Sequence, residues 1–156
     1  MSFIDSLALP ESARERELRA ALGSRILVLD GSMGSQLAAA GLSSDDFGGP
    51  QREGCYDALV MTRPEVVTAV HESYLAAGAD IIETCSFGAL RHVLAEYGLG
   101  DQSLELNRAA ARLAVAAARR SATALKPRFV AGSMGPGTKS VTLGGISFAE
   151  VAAAHG

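Results

Sequence analysis

Asp30, Glu83 and Ser133 occupy corresponding places at the ends of three short apolar runs. Ile26-Leu27-Val28-Leu29 closes with Asp30 and Gly31-Ser32-Met33-Gly34; Ile81-Ile82 closes with Glu83-Thr84-Cys85-Ser86-Phe87-Gly88; Phe129-Val130-Ala131 closes with Gly132-Ser133-Met134-Gly135. Carboxylates can take a cationic or hydrogen-bonding group, and hydroxyls can take either a donor or an acceptor. The glycines let main-chain N–H groups come close to a ligand. The tetrapeptide Gly-Ser-Met-Gly occurs twice, each time directly after an apolar run. This is the layout of a site built at strand ends.

Plainer readings stand beside this one. Asp30 before a glycine reads equally well as a turn residue on turn chemistry alone. Glu83 reads either as a binding carboxylate or as a structural acid pairing with a neighbouring strand. Met33 and Met134 read as packing residues. His71, His92 and His155 read as ordinary surface or capping histidines. Cys55 and Cys85 have no His or acid partner at useful spacing and read as inert thiols. Gly132 to Gly137 lacks the Gly-Lys-Ser/Thr order of a phosphate loop, because Lys139 comes too late.

Alternating strands and helices would position such a site. Ser6 to Leu22 reads as an exposed leading helix, so residues 1–24 form an N-terminal helical extension. Ile26 to Leu29 shows no polar alternation, as a parallel strand covered on both faces requires. A loop rich in Gly, Ser and Asp follows from Gly41 to Asp57. Thr62-Arg63-Pro64-Glu65 has the form of a capping box, Val66, Val67, Val70, Tyr74 and Leu75 continue an apolar stripe, and Gly78 ends it. Asp80 to Phe87 is the second strand and its loop, Ala89 to Tyr97 a short helix, and Leu104 to Ala118 a long helix with Leu106, Ala109, Ala110, Leu113 and Ala117 on one face. Arg128 to Ala131 is the third strand. Ser147-Phe148-Ala149-Glu150 is another capping box and opens a further helix.

The chain has 156 residues, 48% of them hydrophobic, which suffices for one domain with a core. With 14 Lys and Arg against 17 Asp and Glu, the net charge of −3 offers no general attraction to nucleic acid or to an anionic membrane. No apolar stretch approaches the roughly 18 residues that a bilayer span needs, so the expected location is cytoplasmic. Three strand–helix units cannot close a barrel, which needs about 250 residues. The expected architecture is therefore α/β: a small open sheet or the front of a larger protein, with the unfinished last helix favouring the second.

Arg25-Ile-Leu-Val-Leu-Asp-Gly-Ser-Met-Gly34 resembles the opening strand of the homocysteine S-methyltransferase family. Leu59 to Val67, Tyr74 to Thr84 and Val130 to Pro136 resemble later segments of that family in the right order. Asp46-Phe47-Gly48-Gly49 and the Thr-Arg-Pro-Glu helix start resemble most the amino-terminal homocysteine-binding module of the cobalamin-dependent methionine synthase branch. The resemblance implies a (βα)8 TIM barrel, of which residues 25–156 would supply about three βα units. It also implies methyl transfer to the sulfur of homocysteine, with zinc on three cysteine thiolates as cofactor and, in the closest branch, cobalamin as methyl donor, where other branches use S-methylmethionine or betaine. The implied partners are homocysteine and the methylcobalamin or methylfolate domains of a parent enzyme.

By the same resemblance, Asp30 takes the substrate ammonium, and Gly31, Ser32 and Met33 form the turn whose N–H groups approach the substrate carboxylate. Glu83 and Thr84 match the acid and hydroxyl that end the second strand, and Ser133 lies in the loop after the third. The zinc cysteines belong to later strands of the family pattern, and neither Cys55 nor Cys85 matches one. No catalytic residue or metal ligand is assigned, and the isolated chain is expected to be inactive. The alternatives are a non-catalytic half-barrel that binds an amino acid or a protein, and an unrelated flavodoxin-like open sheet.

Overall fold

The computed structural model describes residues 12–155. Residues 1–11, where the leading helix was expected to begin, lie outside the described part. Helix α1 spans Ala13–Ser24, and its N-cap Ser12 accepts the N–H of Glu15 at 3.0 Å. It buries none of its residues. Helix α2, Met33–Ala38, follows the first strand-end turn, and the long loop after it folds into 3-10 turns at Ser44–Phe47, Pro50–Arg52 and Tyr56–Ala58. Helices α3 (Leu59–Thr62) and α4 (Pro64–Ala77) come next, then strand β1 (Ile81–Glu83). The short α5 (Arg91–Leu94), the long α6 (Ser103–Ser121), strand β2 (Phe129–Ala131) and α7 (Phe148–His155) complete the order.

The sheet is parallel, with Ile81 opposite Phe129, Ile82 opposite Val130 and Glu83 opposite Ala131. The expected first strand at Ile26 to Leu29 is not a regular strand: a single parallel bridge joins Leu29 to Ile81. The cause is local. The Val28 N–H donates to the Asp80 carboxylate at 3.0 Å, while the Asp80 and Ile81 N–H groups share the Val28 carbonyl. A side chain has replaced one rung of the ladder. Ile26, Val28 and Leu29 are all exposed, Ile26 at 89%, against the expectation of a strand covered on both faces.

The Thr62 capping box also does not form. Thr62 ends α3 with its hydroxyl donating to the Ala58 carbonyl at 3.3 Å; Arg63 is the N-cap of α4, with Pro64 in its first turn. Glu65 instead pairs with the Arg63 guanidinium. Gly78 closes α4 in the left-handed conformation, φ 112°, which an L side chain rarely adopts. The Ser147 box does form: its hydroxyl accepts the Glu150 N–H at 3.2 Å, and Glu150 accepts the Ser147 N–H at 2.9 Å.

Helix α6 carries the core. Its alanines at 109, 110, 114, 117 and 118 are buried with Leu106, and their small size lets α4 and β1 approach closely. One cluster joins Leu37, Phe47, Leu59, Val67, Leu94 and Leu106; a second joins Leu75, Ile82 and the C-terminal alanines of α6. His71 sits in this interior, fully buried on α4, and is not the surface residue that its polar sequence neighbours suggested. Neither of its ring nitrogens has a partner among the described residues, and burial pushes its pKa down to about 4. His92 is half-buried, with both ring nitrogens covered and without a hydrogen-bond partner among the described residues.

Candidate functional site

The site begins where Asp30 leaves the sheet. Its N–H donates to the Ile81 carbonyl at 2.9 Å, and its Oδ1 accepts the Glu83 N–H at 2.9 Å, so the carboxylate is tied to the end of β1. Burial pushes its pKa up to about 6, with the nearby Glu83 charge adding to the rise and the Glu83 N–H opposing it. Gly31 and Ser32 are exposed, and Ser32 turns the chain into α2 in the left-handed conformation, φ 51°.

Thr84, Ser86 and Ser133 join the ends of β1 and β2. The Thr84 Oγ1 accepts the Ser133 N–H at 2.9 Å and lies 2.7 Å from the Ser86 hydroxyl, which itself donates to the Ser133 carbonyl at 2.8 Å. Thr84 and Ser86 are buried. Three hydroxyl-bearing residues therefore fix two strand-end loops in one register.

A cavity of about 320 Å³ opens beside this clamp. Met33, Glu83, Thr84 and Ser133 line it together with Leu37, Tyr56, Asp57, Cys85 and Phe87. Of the seven residues singled out from the sequence, these four share the cavity wall. Asp30 stands one hydrogen bond behind Glu83, and Gly31 and Ser32 are not among the lining residues. No Lys, Arg or His of the described residues lines it, so its electrostatic character is acidic.

The sequence reading passed over Asp57. Its Oδ1 accepts the Gly88 N–H at 3.1 Å, and burial raises its pKa, opposed by that hydrogen bond. Gly88 is needed here, because a Cβ would lie 2.6 Å from the Asp57 Oδ2. Gly135 meets the same loop from the other side. Its N–H donates to the Phe87 carbonyl at 3.0 Å, and a Cβ would lie 2.6 Å from that oxygen. The available signal was an acid closing a long polar loop just before the apolar Ala58-Leu59-Val60, which marks a residue held at an element boundary.

Cys55 and Cys85 are both buried free thiols. Burial pushes Cys85 up to about 12, with the charges of Asp57 and Cys55 adding, and burial also raises Cys55. Such thiols are poor nucleophiles and poor metal ligands at neutral pH. Among the described residues, no group of three or more His, Cys, Asp or Glu side chains is placed to hold a metal ion. The described residues therefore do not fit the zinc that the family resemblance implies.

Fold and site together define an α/β protein with an acidic pocket at the ends of parallel strands. The sequence matches the model of the homocysteine S-methyltransferase family over residues 27–156, and the chain belongs to that family. Methionine synthases of Mycobacterium tuberculosis and Mycobacterium leprae are each 40% identical to it over 141 residues, 90% of this chain and 12% of theirs. Among solved structures, the homocysteine methyltransferase MmuM from Escherichia coli in its metallated form aligns with a TM-score of 0.62 and 31% identity, covering 76% of this chain and 41% of that one. Its oxidised form aligns with a TM-score of 0.62 and 32% identity, covering 40% of that chain. The chain thus spans a small part of the methionine synthases and under half of the solved relatives.

Proposed function

We propose that this chain forms the amino-acid end of a homocysteine pocket in a methyltransferase of the methionine synthase type, whose reaction carries a methyl group to the homocysteine sulfur and yields methionine. The observation that carries this reading is the Asp30 carboxylate, which accepts the N–H of Glu83, a residue that lines an acidic strand-end cavity, in a member of the homocysteine S-methyltransferase family. A substrate ammonium would be accepted by Asp30, with Glu83 adding attraction from the cavity wall. The turn Gly31-Ser32-Met33, exposed at its first two residues, would offer main-chain N–H groups to the substrate carboxylate. Thr84 and Ser133 act by holding the wall in shape, because their polar atoms already bond to each other.

On this reading residues 25–156 are about three units of a (βα)8 barrel, preceded by residues 1–24 as an N-terminal extension. The zinc that would present the sulfur as thiolate, and the cobalamin that would bring the methyl group, belong to parts of the parent enzyme other than these residues. The chain alone binds the substrate and does not turn it over.

Calorimetric titration of the 156-residue chain with homocysteine tests this. Saturable binding is expected, weakened about tenfold or more in Asp30→Asn, since a charge-assisted contact is lost. Equal binding by both proteins would remove the assignment of Asp30. Methionine formation by the chain from methylcobalamin would overturn the statement that it does not turn over substrate.

A further inference from the structure

A second cavity, of about 570 Å³, lies between α1, the C-terminal half of α6 and the start of β2. Arg14, Arg119 and Arg128 line it, with Val115, Ala118, Ala122 and Val130 completing the wall. Among the described residues no acidic side chain lines it. It sits beside the first residues of β2, whereas the acidic cavity sits past the last residues of both strands.

Two of the three guanidinium groups, those of Arg119 and Arg128, lack a carboxylate partner among the described residues. Arg128 is buried at 8% exposure, its Nη1 donates only to the Ala79 carbonyl, and its covered Nε has no partner among the described residues. Arg14 stacks over the Phe129 ring at 4.6 Å and donates to the Arg128 carbonyl; Glu17 on the same helix pairs with its other nitrogen from the exposed side. Arg119 has neither a hydrogen-bond nor an ion-pair partner among the described residues. The buried acid Asp80 is taken by Arg25 through two hydrogen bonds at 2.8 and 2.7 Å. Like charges gathered around a part-buried space raise its potential and attract a counter-charge.

We propose that this cavity binds a small oxyanion, a phosphate or a carboxylate carried on an apolar body. The forked guanidinium matches both groups in two-point geometry. The valine and alanine walls and the volume leave room for more than an inorganic ion. The site is independent of the homocysteine reading, because the two cavities share no lining residue.

Calorimetric titration of the whole chain at low ionic strength with pyrophosphate, and separately with citrate, tests the proposal. Saturable one-site binding of at least one probe is expected; the tighter probe identifies whether phosphate or carboxylate is preferred. Arg119→Ser, an exposed change at the end of α6, is expected to weaken binding about tenfold or more, and Arg119→Lys is expected to weaken it less because the charge remains. Arg112→Ser, which removes an α6 charge outside the cavity, is expected to leave binding unchanged. Far-ultraviolet circular dichroism shows that each variant is folded. Absence of saturable binding by both probes, unchanged binding in Arg119→Ser, or equal losses in Arg119→Ser and Arg112→Ser would each overturn the proposal.

Discussion

The carboxylate of Asp30 and the main-chain N–H of Glu83 meet at 2.9 Å, across fifty-three positions of sequence. This bond fixes an acid at the edge of a strand-end pocket, in an environment that opposes its ionisation. Its folded pKa of about 6 lies above the ordinary carboxylate value, so ionisation is harder in the folded state than in the unfolded one. The contribution of Asp30 to stability is then greatest below about pH 4 and declines as pH rises through about 6.

Asp30→Asn is therefore expected to stabilise the chain at pH 8, by on the order of 1 kcal/mol once solvent screening at this half-open position is allowed for. At pH 4 the two proteins should unfold at similar urea concentrations. Urea titrations at the two pH values provide the check, and a variant less stable at pH 8 would contradict it.

His71 gives the opposite slope. Its folded pKa of about 4 lies below its ordinary value of 6.5, so stability is full above about pH 6.5 and falls as the pH drops toward 4. Replacing it by Leu is expected to remove on the order of 2 kcal/mol of that acid sensitivity. Thermal melts of both proteins from pH 7.5 to 4.5 should diverge steadily with acidity; parallel curves would show that the imidazole is not what the acid attacks.

Asp80 and Arg25 give a third slope, in the carboxylate range. The Arg25 guanidinium holds the Asp80 carboxyl well below its usual range, so the stabilisation is present above about pH 4 and disappears as pH falls further. Asp80→Asn breaks this pair and weakens the tie to Val28, and the melting temperature at pH 7 is expected to fall by roughly 5 °C or more. Amide exchange should locate the loosening at residues 25–30. An unchanged melting temperature would mean that the pair is idle.

Gly135→Ala tests the loop packing. The added Cβ would lie 2.6 Å from the Phe87 carbonyl and 2.8 Å from its ring, so backbone has to move. A loss of about 1–3 kcal/mol is expected, as for overpacking elsewhere in protein interiors. The Ser133→Ala variant, by contrast, keeps the main-chain groups that bond to Thr84 and Ser86 and should be nearly neutral. Comparable losses in both would point to a general fragility of the segment.

The elements that were legible in the sequence are those set by periodicity and local caps. The apolar face of α6, the glycine stop at Gly78 and the Ser147 box all depend on residues within a few positions of one another. The Thr62 box gave way to local competitors, Ala58 and Arg63, but the first strand and His71 failed because a partner distant in sequence won. Val28 lost its ladder rung to a side chain fifty-two residues away, and His71 was covered by elements that its own helix pattern could not reveal. The site shows the same division. Strand-end position marked Met33, Glu83, Thr84 and Ser133, which line one cavity, whereas Asp57 owes its place to Gly88, thirty-one residues on.

Ser32 is the one non-glycine among the described residues with a positive φ, and it stands directly between the Asp30-Gly31 turn and α2. A serine there tolerates a conformation that costs roughly 1–2 kcal/mol for an L residue, yet it has fewer alternative shapes than a glycine would. Glycine at position 32 would carry no such cost, so Ser32→Gly is expected to keep the same turn while relieving it.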